Sequence, residues 1–284
     1  MRIAVFSDVQ GNLPAMETVV ADIRAWRPDL VIMNGDLVSR GPCSLACLEL
    51  FEALRTGEGW LPIKGNHEDF LLLCEARGPR TRLDAAMRQF ADWTLDQLGE
   101  RVWVLRDWPD HLYFQGPGDQ WVQFTHGSLA GNRLGISSTT TEEQMAQRVP
   151  DEVPLFVVAH THKPLDREYR GQRILNVGSV GSSFDGDPRA SYAHLEFRDG
   201  AWQADIRRLD YDRERAERDF HDSGFVAEGG PLARLIFEEW RQARMMMPLL
   251  NQRFGAALQA GDLDLDQAVD ALLWEVRGSS AVAV

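Results

Sequence analysis

Six short fragments, far apart in the chain, carry side chains that bind divalent cations: Asp8-Val9-Gln10, Gly35-Asp36, Gly65-Asn66-His67-Glu68, His126-Gly127, His160-Thr161-His162 and Asn176-Val177-Gly178-Ser179. Carboxylate, amide and imidazole donors together suit Mn²⁺, Fe²⁺ or Zn²⁺, and a carboxylate can bridge two such ions about 3.5–4 Å apart. Taken singly, each fragment is only a polar residue capping a strand end. Their shared position argues for more. The first five each close an apolar run that reads as a β-strand, at residues 3–6, 30–33, 60–63, 122–124 and 155–159. Ligands gather at the carboxyl ends of strands in open α/β sheets, so five such ends imply one convergent cluster.

The elements that must position these residues follow from periodicity. The first third alternates strand and helix: strand 2–7, helix 14–26, strand 30–34, helix from about 42 to 54, strand 60–64, and a helix after His67. Pro14 and Pro42 are placed as first-turn prolines, and the alternation is that of parallel strands joined by helical crossovers. Leu83, Ala86, Met87, Phe90, Trp93 and Leu98 repeat at helical spacing, predicting a helix that either packs on the sheet edge or lids the site. From Val102 short strands are expected at 111–114, 121–125, 155–159, 173–177, 191–197 and 202–209, with hairpins forming a second sheet. Overlapping capping boxes, Thr139 to Glu142 and Thr140 to Glu143, predict a helix start between them. After Asp210 the pattern is helical to about Arg277, broken at 224–231 and 261–262, which divides the chain into a domain over 1–210 and a helical extension over 211–284. Met245-Met246-Met247 in that extension reads as core filler.

Composition narrows the function classes. An apolar content of 44% fills a real core, and a formal charge of −13 disfavours binding a nucleic-acid backbone. Three cysteines without a disulfide-like framework fit a reducing compartment, and the short apolar stretch at 3–6 is no signal peptide or membrane span. The expectation is a soluble cytoplasmic protein. Cys43 and Cys47 would share a helix face, where free cysteines are usually small buried hydrophobes and less often metal ligands.

In their order and spacing, D-V-Q, G-D-L-V, G-N-H-E, T-H-G and H-T-H resemble the calcineurin-like metallophosphoesterase superfamily over roughly residues 1–210. S-D-V-Q-G-N, H-T-H-K-P and N-V-G-S-V-G followed by G-D-P-R-A-S-Y look like its small bacterial phosphodiesterase branch. The resemblance implies an α/β (α+β) fold, a four-layer αββα sandwich of two mixed β-sheets flanked by helices, here with a helical C-terminal extension. It also implies two divalent metals, Mn first and Fe, Zn or Ni as alternatives. Asp8, Gln10, Asp36 and His162 would hold one; Asp36, Asn66, His126 and His160 would hold the other. A small phosphorylated substrate, a phosphodiester or phosphomonoester, would be hydrolysed by in-line attack of a metal-bridging hydroxide. His67 would contact the phosphate and protonate the leaving oxygen.

Two positions depart from the family pattern. Gln10 stands where His is usual, and is either a direct ligand or the holder of a metal-bound water. Ala159 replaces a usual Gly. Arg40 resembles the phosphate-clamping Arg of the protein-phosphatase branch, against the plainer reading of a solvated loop residue. Arg77, Arg80 and Arg82 are open to a second phosphate or to solvent alone. Glu68 and Asp69 read as the favourable acidic first turn of a helix, Asp187 and Arg189 as a structural turn, and 176–179 as a loop beside the site. Competing readings are a protein or dinucleoside polyphosphate phosphatase, and a non-catalytic metal-holding scaffold, which the presence of His67 disfavours. The extension is available to bind a partner or a second subunit, giving a homo-oligomer.

Overall fold

The computed structural model describes residues 1–280. The chain opens as β1 (Arg2–Phe6), α1 (Leu13–Trp26), β2 (Leu30–Asn34), α2 (Ser44–Glu58), β3 (Leu61–Ile63), α3 (Asn66–Ala76) and α4 (Arg82–Leu98). A 3₁₀ stretch over Gly99–Asp107 leads to β4 (His111–Gln115), β5 (Trp121–Thr125), α5 (Glu142–Arg148), β6 (Leu155–Val158), β7 (Leu165–Tyr169), β8 (Gln172–Asn176), β9 (Ala190–Arg198) and β10 (Ala201–Leu209). Five helices complete it: α6 (Arg213–Asp222), α7 (Phe225–Glu228), α8 (Pro231–Gln242), α9 (Met247–Ala260) and α10 (Leu265–Ser280).

Period-two alternation sorts the strand residues into layers. Ile3, Val5 and Ile32 point inward and meet Val122, Phe124, Leu155, Val157 and Leu175 of the facing sheet. Ala4, Phe6, Val31 and Met33 point the other way, into the helices. On the far side Phe156, Val158 and Ile174 bury against Met145 of α5. Helices, sheet, sheet and helix make four layers. One sheet has the order β10-β9-β1-β2-β3 and the other β4-β5-β6-β8-β7. Each mixes parallel and antiparallel pairs: β1 runs parallel to β2 but antiparallel to β9, and β8 runs parallel to β6 but antiparallel to β7.

The C-terminal helices share the core beneath the first sheet. Phe220, Phe225, Leu232, Trp240, Leu250 and Leu272 belong to the same buried cluster as Val19 of α1, Phe51 of α2 and Trp93 of α4. Each large apolar side chain buried there contributes about 1.5–3 kcal/mol.

Several expectations are corrected. The helix placed at Pro42 begins at Ser44, because the Cys43 N–H is held by the Gly11 carbonyl at 2.9 Å. The capping box lies one residue beyond the later of the two proposed, between Thr141 and Gln144, because Thr140 Oγ1 instead accepts the Ser137 N–H at 2.9 Å. The β9–β10 hairpin joins the first sheet rather than the second, through pairs such as Val5 with Ala193. α4 packs chiefly on other helices, α3 and α8 among them, with Phe90 and Trp93 buried. Of the methionine run, Met246 is buried in the core and Met245 is exposed.

Candidate metal centre

The residues singled out from sequence sit just past the carboxyl ends of five strands. Asp8 follows β1, Asp36 follows β2, Asn66 follows β3, His126 follows β5 and His160 follows β6. Leaving a strand so abruptly takes unusual backbone. Asp8 (φ 53°), Gln10 (53°), Asp36 (56°), His160 (68°) and His162 (56°) are all left-handed, a conformation that costs non-glycine residues energy and concentrates at functional sites.

The candidate ligand atoms form one continuous chain. His162 Nε2 lies 3.1 Å from Asp8 Oδ1, and His126 Nε2 lies 3.9 Å from that oxygen and 3.3 Å from Asp36 Oδ2. Asn66 Oδ1 is 3.1 Å from His126 Nε2 and 2.7 Å from His160 Nδ1. The Gln10 amide donates to Asp36 Oδ2 at 3.0 Å. Asp8, Asp36 and His162 by themselves bring three ligand atoms within 4.8 Å of one another. Asp36 stands in the middle of the set.

These donors fit divalent cations. Among the described residues, Asp8 Oδ1 and Gln10 Oε1 are buried oxygens without a hydrogen-bond partner, a costly arrangement unless a positive group meets them. Two imidazoles are turned by backbone carbonyls so that Nε2 faces the cluster: His126 Nδ1 donates to Asn34 O at 2.9 Å, and His162 Nδ1 donates to Ser182 O. Such outer contacts fix the tautomer of a metal-binding histidine. Phe184 stacks on the His162 ring at 4.3 Å.

The electrostatics agree. Burial opposes ionisation of Asp36, yet His126 and His67 hold its carboxyl well below the usual range. Burial likewise disfavours a charged His126, but Asp36 and Asp8 raise its pKa well above that of a free histidine. The centre draws positive charge. His160 is pushed down to about 4 by burial and by His126, against the pull of Asp36 and Asp8.

His67 lies beside this cluster. Its backbone N–H donates to Asp36 Oδ1 at 2.8 Å, its ring meets Phe90 of α4 at 6.4 Å, and its buried Nδ1 has no hydrogen-bond partner among the described residues. Burial, together with the charges of Arg40, His162 and His126, pushes it down to about 3 despite the opposing pull of Asp36. Arg40 is not a solvated loop residue: its Nη2 lies 2.5 Å from Glu239 of α8. The Arg77, Arg80 and Arg82 cluster stays apart. It begins at the far end of α3 from Asn66, about 16 Å along the helix axis, and Arg77 faces Asp84. Among the described residues Cys43, Cys47 and Cys74 are free thiols, and Asp187 pairs with Arg189 in a turn.

Three positioning contacts escaped the sequence reading. Glu68 is fully buried, and its carboxylate accepts the N–H groups of Asp36 (2.8 Å), Leu37 (2.8 Å), Val38 (3.3 Å) and Gly65 (2.8 Å). It is more than the acidic first turn of α3. Burial and Asp36 raise its pKa to about 7, against those N–H donors. Asn176 donates to Ala159 O at 2.7 Å and Thr161 Oγ1 at 3.0 Å, pinning the turn that carries His160. Ser179 Oγ donates to Asp8 O at 2.8 Å. Side chains at strand ends were visible as a pattern; these reach across between segments that only the fold brings together.

Two facing mixed sheets with acidic, amide and imidazole side chains collected at their strand ends define a class of metal-dependent phosphoesterases. The calcineurin-like phosphoesterase family model matches residues 1–194, and the chain belongs to that family. It is 26% identical over 234 residues to the uncharacterized protein MJ0912 of Methanocaldococcus jannaschii, covering 75% of this chain and 89% of that one. Among solved structures it is similar to a metallophosphoesterase from Sphaerobacter thermophilus, with TM-score 0.64 and 28% identity over 86% of this chain and 99% of that one. The fold also matches the hypothetical protein PH1004 from Pyrococcus horikoshii OT3, with TM-score 0.67 and 19% identity over 80% and 95% of the two chains. Among the described residues no helix is long and apolar enough to cross a membrane.

Proposed function

We propose that this protein hydrolyses phosphodiesters or small phosphomonoesters with two divalent cations, Mn²⁺ foremost. The observation that carries this reading is the continuous run of ligand atoms centred on Asp36, with two buried oxygens, Asp8 Oδ1 and Gln10 Oε1, that have no hydrogen-bond donor among the described residues. Asp8, Gln10, Asp36 and His162 would hold one cation, and Asp36, Asn66, His126 and His160 the other. When bound, such ions supply an activated water at neutral pH and offset charge on the phosphoryl oxygens.

The chain's own residues do the rest. Asp36 fixes His67 through the backbone N–H at 2.8 Å, so the imidazole is placed by the same carboxylate that joins the two ligand sets. A neutral imidazole still donates one N–H, which suits His67 to a phosphoryl or leaving oxygen. Bringing an anionic ester against the ring lifts its pKa and allows it to deliver a proton. Gln10 contributes Oε1 as the metal-facing atom while its N–H₂ clamps Asp36. Arg40, beside His67, takes phosphoryl oxygens.

The test is turnover of bis-p-nitrophenyl phosphate, p-nitrophenyl phosphate, nucleotides and a phosphopeptide by metal-free protein reloaded with Mn²⁺, Fe²⁺, Ni²⁺, Zn²⁺ or Mg²⁺. Hydrolysis with at least one metal is expected, and the preferred ester separates phosphodiesterase from phosphatase. No turnover with any metal would favour a non-catalytic metal-holding scaffold. Gln10→His should shift the metal preference; an unchanged preference overturns direct ligation by Gln10.

A further inference from the structure

Arg40 is tied to the C-terminal helices. Glu239 of α8 is fully buried and divides its carboxylate between two tasks. Oε2 accepts Arg40 Nη2 at 2.5 Å, while Oε1 accepts the backbone N–H groups of Met246 (2.5 Å) and Met247 (2.9 Å), where α8 turns into α9. Among the described residues Arg40 Nε and Nη1 make no hydrogen bond, and the side chain remains 11% exposed. The loop that presents it is left-handed at Ser39 (φ 73°) and Arg40 (φ 56°). The same α8–α9 elbow holds a second wall of the site: the Ala243 carbonyl accepts the Gly186 N–H at 3.0 Å, two residues beyond the Phe184 ring stacked on His162. A buried ion pair is weak support for stability, because desolvation offsets the attraction, so its worth here lies in fixing direction.

We propose that Glu239 is a positioning residue that holds Arg40 by one nitrogen and leaves the others for a phosphoryl oxygen, making the C-terminal helices part of the phosphate clamp. This rests on the phosphoesterase reading above.

The experiment uses full-length Mn²⁺-loaded protein. Calorimetric binding of inorganic phosphate and turnover of p-nitrophenyl phosphate and its bis ester are measured for wild type, Glu239→Gln, Arg40→Ala, Arg40→Lys and the double variant Arg40→Ala/Glu239→Gln. Glu239→Gln keeps an acceptor for the elbow. It should weaken phosphate binding about tenfold, the worth of a charge-assisted hydrogen bond, and raise KM more than it lowers kcat at unchanged metal content. Arg40→Lys should lose a similar factor, because a compact ammonium lacks the planar fork that reaches the carboxylate on one side and a phosphate on the other. The double variant should bind phosphate no worse than Arg40→Ala alone. Equal affinity in wild type and Glu239→Gln, wild-type affinity in Arg40→Lys, or losses that simply multiply in the double variant would each overturn the positioning role alone. A wild-type protein that neither binds phosphate nor turns over ester overturns the phosphoesterase reading and this role with it.

Discussion

Asp36 uses both of its carboxylate oxygens within the centre. One oxygen accepts the His67 N–H, and the other meets the Gln10 amide and the His126 ring. Its left-handed backbone is held from beneath by Glu68, whose carboxylate fills a nest of consecutive N–H groups as a bound anion would. Glu68→Gln keeps the size but replaces one acceptor oxygen by a donor facing N–H groups. It should cost roughly 1–3 kcal/mol in denaturant unfolding and weaken metal binding, although Glu68 touches no metal in the proposed ligand sets. Unchanged metal affinity would count against its hold on Asp36. His67→Asn belongs at this scale too: metal content should stay at the wild-type level while turnover falls about 10²–10⁴-fold. The ligand-type residues were legible because each ends an apolar run. Glu68 and Glu239 were not, since a charged residue near a helix start or within an amphipathic helix looks solvated until the fold buries it.

At the level of elements, β1 and β2 were readable because burial on both faces leaves them as continuous apolar runs. β7 was not. Its sequence Leu165-Asp166-Arg167-Glu168-Tyr169 is charged because it is an edge strand, and its pairing with β8 is marked by the Arg173–Asp166 contact at 2.6 Å. The packing of α4 on other helices was equally hidden, because a helix periodicity says which face is apolar and nothing of what meets it. The junction between β3 and α3 shows how tightly these elements pack at the site. A Cβ added at Gly65 would lie 2.1 Å from Asp36 Oδ1 and 2.5 Å from its backbone nitrogen. Gly65→Ala should therefore displace Asp36, costing about 1–3 kcal/mol of stability and sharply reducing metal uptake in equilibrium dialysis. Wild-type uptake would show that the junction gives way elsewhere.

Across the whole molecule, helices after Asp210 and the first sheet stand on one core, so a chain ending at 210 would expose the Val19 and Trp93 faces of α1 and α4 that α6, α7 and α8 now cover. Such a truncation should aggregate rather than stay folded with reduced activity, measurable as loss of the monodisperse species on gel filtration. The sheet's other attachment to α1 carries a pH dependence. His194 of β9 stacks on Trp26 of α1 at 3.6 Å, and its Nε2 lies 2.7 Å from the hydroxyl of Tyr192, which donates to Asp22. Burial, with Arg207 nearby, pushes His194 down to about 4 against the pull of Asp22 and Asp205. A histidine in the unfolded chain titrates near 6.5, so between pH 6.5 and about 4 the unfolded state binds more protons than the folded one. Stability must then rise with pH across that window; His194 contributes fully above 6.5, and the contribution is lost as the pH falls toward 4. His194→Phe keeps an aromatic ring for Trp26 and removes the titration. Melting curves of metal-free wild type should therefore drop more steeply from pH 6.5 to 4 than those of the variant, with the slopes converging above 6.5. Parallel curves across the acid window would show that His194 does not couple this face of the sheet to pH.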